Sequence, residues 1–189
     1  MRELALHLLD LAENSVAAGA RAVTIVVVED PAADRLSLTI RDDGRGMDAD
    51  LVARVSDPFV TSRTERRVGL GVPLLKAAAE ACAGGLSVQS APGRGTQVQA
   101  DFQRSHLDRM PLGDLAGTWL TLLVGHPQVH WRFAYQVGPE TFEFDDAPVK
   151  QTLAGLPLTE PAVLHYLRAL LAEGVAQAAG AAALPVGGD

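Results

Sequence analysis

The chain is predicted to be α+β, a two-layer sandwich of helices on a sheet with a small α+β extension at its C-terminal end. Three observations predict this. The opening residues place Leu4, Leu8, Leu11 and Ser15 on one helical stripe. Two β-branched, apolar runs follow at once, Ala22–Glu29 and Leu36–Arg41. A further helical segment over Gly71–Cys82 then leads into a second pair of strand-like runs, Leu86–Ser90 and Thr96–Phe102. Helix and sheet must each bury one apolar face, and stacking them as two layers does so for both.

The first helix is expected over Arg2–Ala18, with Gly19 where a C-terminal cap belongs. A polar Pro-Ala-Ala-Asp-Arg loop separates the first two strands. The glycine-bearing stretch RDDGRGM comes next, then a short helix over Ala49–Val55 and a loop from Asp57 to Arg67. Pro73 is tolerated in the following helix because it falls in the first turn, where its missing N–H is not needed. This α-β-β-α-α-β-β order fills residues 1–103, the first expected domain.

Residues 104–189 form the expected extension. Gly113–Val124 reads as an apolar helix, and Val129–Val137 with Thr141–Asp145 as a hairpin. Ala147–Ala154 reads as a short helix, and Thr159 as the cap of another running from Glu160 to about Glu173. The Ala- and Gly-rich tail beyond is expected to be frayed. Trp119, Trp131 and Phe133 are expected as core anchors, and Cys82 as buried packing. Glu140, Glu143, Asp145 and Asp146 are expected on a solvated acidic face.

Composition narrows the function. Hydrophobic content of 48% against 21% charged residues describes a globular chain. Sixteen basic against twenty-three acidic residues give a net charge of −7, which argues against a general nucleic-acid binder. The opening segment is interrupted by His7, Asp10 and Glu13, so it does not read as a signal peptide. No apolar run approaches the roughly 20 residues that span a bilayer. A single cysteine excludes an internal disulfide framework. A cytoplasmic protein without membrane or nucleic-acid partners is expected.

Two segments carry chemistry. With about 100° per helical residue, and His7 set at zero, Asn14 falls near −20°, Asp10 near −60° and Glu13 near −120°. His7, Asp10 and Asn14 thus share a polar arc, with Glu13 to its side. The i, i+4 spacing lets Asp10 poise a water while the Asn14 amide oxygen binds a metal. Magnesium suits such a site because it keeps several waters and takes other ligands from phosphates. A solvated polar face explains the same arc, and His7 alone reads most simply as structural or solvated. The second segment ends a strand at Asp42, beside Gly44 and Gly46. A carboxylate there can accept an N–H from a flat exocyclic amine, and the glycines leave room for a ring. An ordinary surface turn is the competing explanation. Further on, VGLGVPLLK opens a helix whose first amides are a ready phosphate site.

In this order the segments resemble the GHKL ATP-binding superfamily of gyrases, heat-shock chaperones, histidine kinases and mismatch-repair ATPases, whose two-layer sandwich is the Bergerat fold. LAENSVAAGA resembles the N box, RDDGRGM the first glycine box and DPFVTSR the phenylalanine box. VGLGVPLLK resembles the second glycine box, and PGRGTQVQADF the final strand pair of histidine-kinase ATPase domains. The resemblance implies ATP and Mg2+ as ligands, with Asn14 holding the metal and Asp42 reading adenine. It further implies Ala18 beside the base, Thr96 behind it, and Gly44, Gly46, Met47, Gly69, Leu70 and Gly71 as loop residues around the nucleotide. Thr61 and Arg63 fall near the lid and phosphates.

The sequence departs from the family at three places. Hydrolytic members usually have Glu four residues before the Asn, whereas Asp10 stands here, shorter by one methylene. A positioned general base contributes about 10²–10⁴-fold, so that change bears on turnover. The lid between Arg63 and Val68 is short, Thr-Glu-Arg-Arg, and Arg67 replaces a glycine common in kinases. No phosphoacceptor hairpin is expected upstream and no long transducer domain downstream. The expectation is therefore a free-standing histidine-kinase-like ATPase, or a kinase acting on a separate protein, with Asp10 as base. The alternative is an ATP-gated binding module with negligible hydrolysis; serine-kinase anti-sigma factors offer a looser comparison. Residues 104–189 are expected to meet a partner protein or a second copy of the chain.

Overall fold

In a computed structural model, residues 3–55 and 71–181 of the chain are described. The N-terminal part runs α1 (Leu4–Ala17), β1 (Ala22–Asp30), β2 (Arg35–Asp42), α2 (Ala49–Arg54), α3 (Gly71–Ala81), β3 (Gly85–Ser90) and β4 (Thr96–Gln103). The extension adds α4 (Leu115–Gly125), β5 (His130–Val137), β6 (Glu140–Asp145), α5 (Asp146–Leu153) and α6 (Pro161–Ala181). The α+β class and the two-layer arrangement are as expected.

All six strands belong to one sheet, in the order β3-β4-β2-β1-β5-β6. The β1–β5 pair is parallel and every other pair antiparallel. The extension therefore continues the sheet along the edge of β1, with Ile25 opposite Phe133. Strand alternation sends Val23, Ile25 and Val27 of β1 to one face, with Leu36, Leu38 and Ile40 of β2. Leu4, Leu8 and Leu11 of α1, Leu75 and Ala79 of α3, Leu122 of α4 and Leu167 of α6 join them in one core. Trp119, Trp131 and Phe133 are buried there, the first stacked on Phe133 at 5.0 Å between ring centroids. Cys82 is buried as well.

The extension also braces α1. The amides of Leu4 and Ala5 donate to the carbonyls of Pro111 and Leu112, at 3.0 and 2.8 Å, satisfying two first-turn donors that no helix pairs internally. At the other end of α1, Glu13 Oε1 lies 2.9 Å from Nε2 of His126, which closes α4.

Three expectations need correction. The last helix continues to Ala181 instead of stopping near Glu173. Gly174, a poor helix former, is retained inside it because any side chain there would overlap the Phe142 ring. Packing on β6 thus outweighs propensity. Residues 182–189 lie outside the described residues. The acidic hairpin is not wholly solvated: Asp146 is 2% exposed and ion-paired to Lys150, whose Nζ lies 2.5 Å from its Oδ2. Nearby, Asp145 caps α5 through the Ala147 amide and binds both His130 and Arg132. Finally, His7, at the edge of the polar arc, is not solvated: it is 3% exposed.

Candidate nucleotide-binding site

The site is built from the end of β2 outward. Asp42 follows Leu36, Leu38 and Ile40 at even spacing, so the pleat turns its carboxylate under α1 and away from solvent. It is 8% exposed and takes hydrogen bonds from Ser15 Oγ (2.7 Å), the Gly44 amide (2.9 Å) and the Thr96 amide (3.2 Å). A carboxylate offers about four acceptor positions, so three internal donors leave capacity for one more N–H. The anchors come from a helix, a loop and a neighbouring strand, which holds the carboxylate in one orientation.

The loop after Asp42 folds back on α1. The Arg45 amide donates to the Ala18 carbonyl at 3.0 Å, and a Cβ on Gly44 would come within 3.1 Å of the Ala18 methyl. Gly46 has φ +68°, and a Cβ there would overlap the Ala91 carbonyl. Only glycine combines that left-handed backbone with so close an approach. Met47 is fixed next to it, its amide donating to Ser90 Oγ at 2.8 Å. Ser90 Oγ also lies 3.0 Å from Thr96 Oγ1. The structure thus gathers Ala18, Gly44, Met47 and Thr96 near Asp42.

Asp10 and Asn14 lie at the start of α3. A Cβ on Gly71 would overlap the Asp10 carboxylate and would come within 3.6 Å of Asn14 Nδ2. The start of α3 therefore abuts both side chains, and the first-turn amides of a helix are an anion-binding group. Glu13 is turned instead toward His126. The pairing of an amide oxygen and a carboxylate beside a helix N-terminus suits a hydrated magnesium bound mostly through phosphates. Thr61, Arg63, Gly69 and Leu70 lie outside the described residues, as do Arg66 and Arg67.

Sequence reasoning missed two hydroxyls. Ser15 has the spacing of the leucine stripe, and it is buried there, but its function in the fold is to hold Asp42. A hydroxyl on an otherwise aliphatic stripe was the available signal. Ser90, the last residue of β3, joins Met47, Gly95 and Thr96. Nothing in its spacing marked it. Asp43, beside the named Asp42, is structural: its Oδ1 accepts from the Arg21 and Ala22 amides at 2.7 and 2.9 Å.

A mixed sheet covered on one face by helices, with the polar side of the first helix meeting the start of a glycine-led one, defines an ATPase fold of the Bergerat type. Residues 2–106 match the family described as histidine kinase-, DNA gyrase B- and HSP90-like ATPase, and the chain belongs to that family. It is 31% identical over 103 residues to a sensor protein of Shewanella frigidimarina, covering 53% of this chain and 16% of that one. It is 32% identical over 111 residues to the non-motile and phage-resistance protein of Caulobacter vibrioides, covering 54% and 13%. Over 59 residues it is 41% identical to the sensory histidine kinase/phosphatase NtrB of Rhodobacter capsulatus, covering 31% and 16%. The chain thus spans less than a fifth of each of these relatives. Among solved structures, the ATPase domain of Aquifex aeolicus MutL complexed with ADP superposes with a TM-score of 0.51 at 14% identity, covering 81% of this chain and 68% of that one. The N-terminal domain of a DNA repair protein gives 0.55 at 13% identity, covering 77% and 52%. These two similarities show the fold. Among the described residues, no helix is long and apolar enough to cross a membrane.

Proposed function

We propose that the chain binds ATP with Mg2+ between Asp42 and Gly71, and that it acts as a histidine-kinase-like ATPase or as a kinase on a separate partner protein. The observation that carries the reading is the Asp42 carboxylate, held by three internal donors with acceptor capacity left for one N–H. The exocyclic amine of adenine supplies such an N–H. Ala18 and Gly44 flank the base, and the loop through Gly46 and Met47 lines it. Asn14 holds magnesium, which neutralises charge on the phosphates.

Asp10 is the proposed general base. It accepts the proton of a water, or of the acceptor group, as that nucleophile attacks the γ-phosphorus, and ADP departs. Residues 104–189 are proposed to receive the partner or a second copy of the chain. Their pairing with β1 and their contacts at both ends of α1 support a role coupled to the nucleotide.

A second reading, an ATP-gated binding module with negligible turnover, is favoured by Asp10 itself, whose shorter side chain brings its carboxylate less far into the cleft. Radiolabel release and transfer from γ-labelled ATP, measured with magnesium on native and Asp10→Asn protein, separates the two. Turnover lost in the variant supports the enzyme. No turnover in either leaves the binding module.

A further inference from the structure

The polar side of α1 has one more member beyond Asp10. His7, one turn earlier, is 3% exposed, and its Nδ1 has no hydrogen-bond partner among the described residues. Buried side-chain nitrogens are nearly always paired, so an unpaired one calls for a ligand or a reason. Burial pushes the ring's pKa below the ordinary histidine value, which keeps it neutral near pH 7, with a proton on one nitrogen only.

Its place on the helix supplies the reason. Ala18, His7 and Asn14 fall within an arc of about 40° around α1, with Asp10 to one side. At about 1.5 Å per residue, Asn14 lies some 6 Å from Ala18 along the axis and His7 some 16 Å. Ala18 meets the loop after Asp42, its carbonyl accepting from the Arg45 amide, whereas Asp10 and Asn14 lie beside Gly71. A ligand with its base at Asp42 and its phosphates passing Asn14 therefore points its last phosphate along α1 toward His7.

We propose that His7 Nδ1 donates a hydrogen bond to the terminal phosphate of a bound nucleoside triphosphate, so that the site distinguishes triphosphate from diphosphate. The proposal rests on the nucleotide-binding reading above. A neutral imidazole in its Nδ1–H tautomer is a fitting donor to that oxygen. The competing explanation is packing alone, the ring filling space between α1 and its neighbours.

Calorimetry on the full chain with magnesium, using ADP and the β,γ-imido analogue of ATP, tests it. His7→Ala is expected to weaken the analogue about tenfold, the size of a hydrogen bond to a charged group, with ADP affinity unchanged. His7→Asn, whose amide stands near the position of Nδ1, is expected to restore most of the difference. His7→Gln, which reaches the position of Nε2, is not. In the native chain, the imidazole 15N signal of Nδ1 should shift with the analogue and stay fixed with ADP, a readout that needs no variant to fold. Equal losses for both nucleotides, no loss, equal rescue by Gln and Asn, or a 15N signal indifferent to the third phosphate overturns the proposal alone. Absence of any nucleotide binding by the native chain overturns the nucleotide-binding reading with it.

Discussion

Replacing Asp42 by Asn tests the adenine-reading proposal at the level of single atoms. Oδ1 receives both backbone amides, from Gly44 and Thr96, while Oδ2 receives the Ser15 hydroxyl. In the variant, the amide oxygen should stay with the two fixed N–H groups. Its NH2 then falls at the position of Oδ2, where Ser15 can rotate to accept. The fold is thus expected to survive, with a melting point within about 2–4 °C of native, the shift that goes with about 1 kcal/mol in a chain of this size. The free acceptor position, however, becomes a donor facing the ligand's own N–H. Loss of a hydrogen bond to a charged group costs about 1.5–3 kcal/mol, which is a ten- to hundredfold weaker affinity. Calorimetry with ATP and with inosine triphosphate, which carries an oxo group where adenine has its amine, reads the effect. ATP should weaken by that factor, and the inosine nucleotide should bind the variant better than it binds the native chain. ATP binding to D42N within twofold of native, or equal weakening of both nucleotides, would refute the assignment.

Other substitutions probe the rest of the site and the core. Ser15→Ala removes one of the three donors to Asp42, and a net loss of about 1 kcal/mol is expected in thermal unfolding, with ATP affinity reduced several-fold. Gly71→Ala forces a methyl into the Asp10 carboxylate, so nucleotide affinity should fall more than tenfold while far-ultraviolet circular dichroism stays native. Trp119→Ala empties a fully buried site stacked on Phe133 and should cost about 3–5 kcal/mol in denaturant unfolding. Burial alone would raise the Asp145 pKa, but the Ala147 amide, His130 and Arg132 outweigh it and bring the carboxyl down to about 2. Its folded pKa lies below the unfolded one, so its contribution is complete above about pH 4 and disappears as pH falls toward 2. Acid titrations of native and Asp145→Asn protein should therefore differ in slope in that interval and run parallel above it.

Much of this protein is local, and the local part is legible in one dimension. The apolar stripe of α1 and the alternation of β1 and β2 follow from periods of 3.6 and 2, which any single segment displays. The glycine loop after Asp42 is legible for the same reason, since a backbone that requires glycine at position 46 writes that requirement into the residue itself. The arc that separates Asp10 from Glu13 needs only helix geometry, and in the structure Glu13 does turn away, to His126.

What periodicity cannot supply is which distant residue meets a given side chain. Ser15 carries the spacing of a core residue, and only the approach of β2 to α1 turns its hydroxyl into an anchor for Asp42. His7 carries the spacing of a polar face, and only the packing around α1 buries it. Asp146 sits in an acidic run that looks solvated until Lys150 closes over it. The length of α6 was hidden by Gly174, whose cost to the helix is local while its compensation, the Phe142 ring, lies on another element. The sequence by itself determined the elements, the order of the motifs and the family. The tertiary structure alone decided that the extension joins the same sheet through β1 and braces both ends of α1, because strand pairing and helix contacts are set by partners far apart in the chain.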